Sequence, residues 1–128
     1  MSFFSKLFNE NQSDSNGNAV DWISLQTLEQ LDEIIENSYE KPILIFKHST
    51  RCSISRFALK RFESEFDLQG KLNLYYLDLL NFRAISNEIA SKFGIQHQSP
   101  QVLLIKEGKV VYHDSHDGIE AEELKKYI

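Results

Sequence analysis

The chain has 128 residues, with 14 basic against 19 acidic side chains, a formal charge of -5 and a pI near 5.3. That length bounds one domain able to bury about two thirds of its unfolded surface, and the acidic balance argues against nucleic acid, which selects a concentrated basic footprint. One cysteine excludes an internal disulfide and a Cys-rich metal centre, and His48, His97, His113 and His116 show no HExxH spacing. The opening MSFFSKLF is too short for a signal-peptide core, and no stretch approaches about 18 apolar residues. The sequence thus reads as a cytoplasmic protein without integral membrane contact, with its oligomeric state left open.

Residues 1–19 read as an amino-terminal arm, partly disordered. Phe3, Phe4, Leu7 and Phe8 can share one side of a short helix, and residues 9–18 are rich in Asn, Ser, Asp and Gly. The domain is placed at 20–128. Trp22 and Ile23 suit a short edge strand. Ser24 is a candidate N-cap for a helix over 27–37, with Leu28, Leu31, Ile34 and Ile35 on one face. Ile43 to Phe46 then signal a central strand. After a polar turn, Ile54, Ala58, Phe62 and Phe66 recur at fours as the stripe of a second helix.

Residues 72–79 read as the next strand. Asn81 can cap a helix carrying Ile85, Ile89, Ala90 and Phe93, which Gly94 stops. Ser99-Pro100 leads into a strand over 101–105. Glu107-Gly108 is a two-residue hairpin signal, residues 109–113 return antiparallel, and 120–128 reads as a last helix with Leu124, Tyr127 and Ile128 as its apolar side. A parallel first half followed by an antiparallel hairpin predicts an α/β fold, a central mixed sheet with helices on both faces.

Cys52 falls at the carboxyl end of the first central strand, where open α/β sheets place their chemistry, and at the opening of a helix. Unpaired backbone N–H groups and the positive end of the helix dipole face that position, a setting suited to a nucleophilic sulfur. The competing reading is a cysteine packed as a small hydrophobe, although Arg51, Ser53 and Ser55 beside it are polar. Ser55 is placed to offer a hydroxyl or backbone N–H to the sulfur, or is a helical serine bonded to its own backbone. Arg51 and Arg56 favour an anionic sulfur or attract an anionic small thiol, or are solvated charges; His48 adjusts the local field or is an ordinary loop histidine.

The element order, the helix-opening cysteine and the stretch Phe93-Gly94-Ile95 through Ser99-Pro100 to Lys106-Glu107-Gly108-Lys109 resemble the thioredoxin fold. The resemblance implies that Pro100 is cis, faces Cys52, and leaves the Ser99 backbone free to pair with a thiol substrate, with Gln101 on the same docking edge. Ordinary thioredoxins have two cysteines separated by two residues. Here Cys52-Ser53-Ile54-Ser55 has one, and Phe46 stands where thioredoxins keep a buried aspartate. More narrowly, KHST-x-C-x-IS, ISNEIASKFGI and H-x-SPQ resemble the monothiol bacilliredoxin family of the bacillithiol system.

That resemblance implies a monothiol thiol–disulfide oxidoreductase. It strips a small-thiol adduct, such as bacillithiol, from modified protein cysteines through a mixed disulfide on Cys52, with Ser55 in the catalytic motif. Its partners are S-thiolated proteins and a low-molecular-weight thiol, and no metal or tightly bound cofactor is called for. Two alternatives stay open on the residues themselves: a redox-inactive binding or adaptor module, and a cysteine-based peroxide reductase.

Overall fold

A computed structural model of the chain describes residues 20–128, so the amino-terminal arm lies outside the described residues. In order the elements are β1 (Trp22–Ser24), α1 (Leu28–Asn37), β2 (Ile43–His48), α2 (Ser53–Glu65), β3 (Asn73–Asp78), α3 (Arg83–Phe93), β4 (Gln101–Lys106) and β5 (Lys109–Ser115), followed by 3₁₀ turns at His116–Gly118 and Ala121–Lys126. The sheet order is β1-β3-β2-β4-β5. β1 and β2 run parallel to β3, whereas β4 runs antiparallel to β2 and β5 to β4. The predicted mixed sheet is present, with β2, the strand that leads into the Cys52 turn, at its centre.

β2 is buried along its whole length because both of its faces are covered. Leu44 and Phe46 join Ala58, Phe62 and Phe66 of α2 and Ile119, Ala121 and Leu124 near the carboxyl terminus. Ile43 and Ile45 join Leu31 and Ile34 of α1 and Ile85 and Ile89 of α3 on the other face. Period-two alternation therefore feeds two cores from one strand.

Four local expectations are corrected. α1 is capped not by Ser24, which lies in β1, but by Thr27: Thr27 Oγ1 accepts from Gln30 N–H at 3.2 Å, and Gln30 Oε1 accepts from Thr27 N–H at 3.0 Å. That reciprocal pair is a capping box, which outcompetes a lone serine. Asn81 does not cap α3, because the helix starts one residue too late for it: Phe82 takes the cap position, and Asn81 Nδ2 donates back to Asp78 Oδ2 at 2.8 Å. Ile54 is 62% exposed, and buried Ser55 continues the stripe of Ala58 and Phe62 instead. Each four-residue step overshoots a helical turn by about 40°, so three steps carry Ile54 off the face that Phe66 occupies. The last segment is 3₁₀ rather than α: Ala121 and Leu124 are buried and Tyr127 packs against them at steps of three, the 3₁₀ period.

The hairpin signal holds. Glu107 and Gly108 both have positive φ between the paired Lys106 and Lys109, as a type I′ turn requires.

Candidate active site

Lys47 and Gln101 are partners across the antiparallel β2–β4 pair. The turn that follows β2 and the residues that precede β4 therefore lie at one end of adjacent strands. Cys52 is on the first segment and Ser99-Pro100 on the second, and the Ser99–Pro100 peptide is cis. Among the described residues Ser99 makes no backbone hydrogen bond, while the Pro100 carbonyl accepts from His116 N–H at 3.0 Å.

Cys52 is partly exposed and is the N-cap of α2, with extended backbone and no side-chain capping bond. Its N–H donates to the Ser49 carbonyl at 3.2 Å, and its own carbonyl accepts from Arg56 N–H at 3.0 Å. The thiol thus sits where the first amides of the helix lack intrahelical acceptors. Arg56 also reaches back over the turn, its Nη1 donating to the Thr50 carbonyl at 3.1 Å. Arg51, next to Cys52 in the chain, is exposed on the turn.

Ser55 points inward. Its hydroxyl is fully buried, accepts from Ser49 N–H at 3.0 Å, and lies 2.8 Å from His48 Nδ1. The side chain three residues past the cysteine therefore braces the turn that presents the thiol, and no hydrogen bond joins it to Cys52 Sγ among the described residues. His48 is not a loop residue but the buried last residue of β2. Burial pushes its pKa below the ordinary 6.5, only partly opposed by Asp78, so the ring is neutral at pH 7. Phe46, in the position of the thioredoxin aspartate, is fully buried among the rings of Trp22, Phe62 and His48. The Glu63 carboxylate accepts from Trp22 Nε1 at 2.7 Å.

Gln101, which follows the proline, is buried, its Nε2 donating to the Gln96 carbonyl at 3.0 Å. A polar cluster that sequence reasoning missed lies beside it: Lys47 Nζ stands 3.2 Å, and Ser86 Oγ 3.0 Å, from His97 Nδ1. The available signal was the alternation of β2, which puts Lys47 on the same face as Ile43 and Ile45. Among the described residues no group of three His, Cys, Asp or Glu side chains could hold a metal ion, and no helix is long and apolar enough to cross a membrane.

The profile of the family described as monothiol bacilliredoxin BrxC matches residues 23–124 of the chain, a span that holds both Cys52 and the Ser99-Pro100 step. The chain belongs to the monothiol bacilliredoxin family. As a bacilliredoxin-family oxidoreductase it performs monothiol thiol–disulfide exchange, and Cys52 is the one cysteine through which that exchange can run. Its family links it to protein thiols and a low-molecular-weight thiol as partners.

A solved structure described as a candidate oxidoreductase with a thioredoxin fold is 30% identical over 81% of this chain and 90% of its own, with a TM-score of 0.70. Thioredoxin from Trypanosoma brucei brucei is 17% identical over 84% of this chain and 90% of its own, with a TM-score of 0.66. The thioredoxin NaTrxh from Nicotiana alata is 20% identical over 91% and 96%, with a TM-score of 0.64. The last two likenesses carry the fold alone.

Proposed function

We propose that this bacilliredoxin-family chain removes bacillithiol from S-thiolated proteins in the cytoplasm. The Cys52 thiolate attacks the bacillithiol sulfur of the protein mixed disulfide. The protein–S to bacillithiol–S bond breaks, a new Cys52–bacillithiol disulfide forms, and the protein cysteine departs as thiolate. A second small thiol then attacks the Cys52 adduct, leaves as the symmetrical disulfide, and returns Cys52 to thiolate. Thiols and disulfides balance at each step, and a second molecule is required because the chain has no second cysteine.

In this reading the Ser99 backbone and Pro100 form the edge on which the disulfide docks, with Gln101 following them in the chain. Arg51 and Arg56 attract the anionic small thiol, and the Ser55–His48 pair holds the nucleophile's turn. The observation that carries the reading is the half-exposed thiol at the α2 N-cap, at the same sheet end as the Ser99–Pro100 step. The test is intact-mass spectrometry after exposure to the symmetrical disulfides of bacillithiol, glutathione and coenzyme A at equal concentration. A single adduct on Cys52, formed fastest from bacillithiol, is the expected result; a faster adduct from either competitor overturns the choice of thiol.

A further inference from the structure

Lys47 is a buried cation for which the exchange chemistry has no use. Its side chain is fully inaccessible on the α1/α3 face of β2, and among the described residues no carboxylate pairs with it. Burial lowers its pKa from 10.5 to about 8, so the fold retains a charge that an apolar side chain of similar length would avoid. Among the described residues its ammonium has one hydrogen-bond partner, His97. Desolvation, Lys47 and Arg83 all push the His97 pKa down, so the ring is neutral and its single Nδ1 lone pair faces the Lys47 ammonium at 3.2 Å, with the Ser86 hydroxyl 3.0 Å from the same atom.

Gln101, opposite Lys47, grips the preceding residue through the Gln96 carbonyl. Buried side chains on β2, α3 and β4 thus hold two consecutive residues, Gln96 and His97, just ahead of Ser99-Pro100. The loop has little else at that point, since Ser99 Oγ and Gln101 Oε1 are buried without a hydrogen-bond partner among the described residues.

We propose that Lys47 is a positioning residue, which ties Gln96-His97 to the strand leading into Cys52 and thereby sets the Ser99–Pro100 edge for docking of a protein disulfide. The inference rests on the docking role assigned to that edge above. It separates two quantities that a packing residue would move together. Replacing the unpaired cation by methionine removes a desolvation cost and raises stability, yet releases the loop and weakens docking.

The test is steady-state exchange by the full chain on a protein carrying one bacillithiol mixed disulfide, with excess bacillithiol as the resolving thiol. For Lys47→Met the KM for the protein disulfide rises about tenfold, kcat stays within about twofold, and the melting temperature rises. His97→Leu, on a half-exposed loop residue, reproduces the KM increase and decides the question should Lys47→Met fail to fold. A wild-type KM in His97→Leu or in folded Lys47→Met overturns the proposal, as does an equal fall in kcat. Cys52→Ser is run alongside: exchange surviving in that variant sinks the function proposed above, whereas Cys52-dependent exchange with a wild-type KM in Lys47→Met sinks the positioning role alone.

Discussion

At residue scale, the hydroxyl of Ser55 has only one proton, and its surroundings decide where that proton goes. It already accepts from Ser49 N–H and faces His48 Nδ1 at 2.8 Å, so with a neutral ring the proton is directed at the imidazole. Ser55→Ala leaves a buried amide and a buried ring nitrogen without partners and lowers stability by about 1–3 kcal/mol in chemical denaturation. His48 and His97 make an acid-side prediction. Both have folded pKa values below 6.5, so above 6.5 neither state carries the charge and no penalty applies. As pH falls through 6.5 the unfolded chain takes up protons first, and stability declines until the folded pKa values are passed. The groups facing His48 are Asp78, Arg56 and Glu63; those facing His97 are Lys47 and Arg83. Denaturation midpoints between pH 7 and 5 should fall less steeply in His48→Gln than in the wild type.

At the scale of elements, the hairpin after β4 is held by a close approach. Gly108 has φ +79, and a Cβ there would lie 2.9 Å from the Tyr39 hydroxyl. Gly108 N–H also donates to Ser38 Oγ at 2.8 Å. The exposed Tyr39 ring can swing aside, so Gly108→Ala costs about 1 kcal/mol through the left-handed backbone, measured as a shift of the urea midpoint at constant slope. Most elements could be read from the chain because their periodicities are uninterrupted: Leu31 and Ile34 on one helix, Ile85 and Ile89 on another, and the apolar run of β2. Ends were harder. Ser24 and Thr27 both have cap chemistry, and only the Gln30 side chain decides between them. Asn81 misses by one residue, since α3 takes Phe82 as its cap and the Asn81 amide donates back to Asp78. At the site, Cys52 and Pro100 stand out by residue type. Lys47 and His97 do not, because a lysine near a strand end usually reaches solvent; only the covering of both faces of β2 buries this one.

Across the whole molecule, two cores meet on β2, and the only charged side chain within that strand is Lys47. Its folded pKa of about 8 lies below the unfolded 10.5, so its cost to stability is fully present below pH 8 and fades as pH rises toward 10.5. Lys47→Met should therefore be more stable than the wild type by up to about 3 kcal/mol at pH 7, with the gap narrowing by pH 10; His97 and Arg83 face the same cluster and are retained in both proteins. A gap independent of pH would show that the ammonium is not the source of the cost. The sheet order sets the chemistry as well. Because β2 is flanked by β3 and β4, its carboxyl end opens against the loop before β4, and the thiol and the cis-proline share one edge.

The measurement that bears most directly on this account follows a protein bearing one bacillithiol adduct, by intact mass, in the presence of the wild-type chain or its Cys52→Ser variant. With the wild type, the adduct should leave the client and appear transiently as a single modification on Cys52, whereas Cys52→Ser, equally folded by circular dichroism, should leave the client modified. Removal of the adduct by Cys52→Ser at the wild-type rate, or by a wild-type chain whose Cys52 never becomes modified, would contradict it.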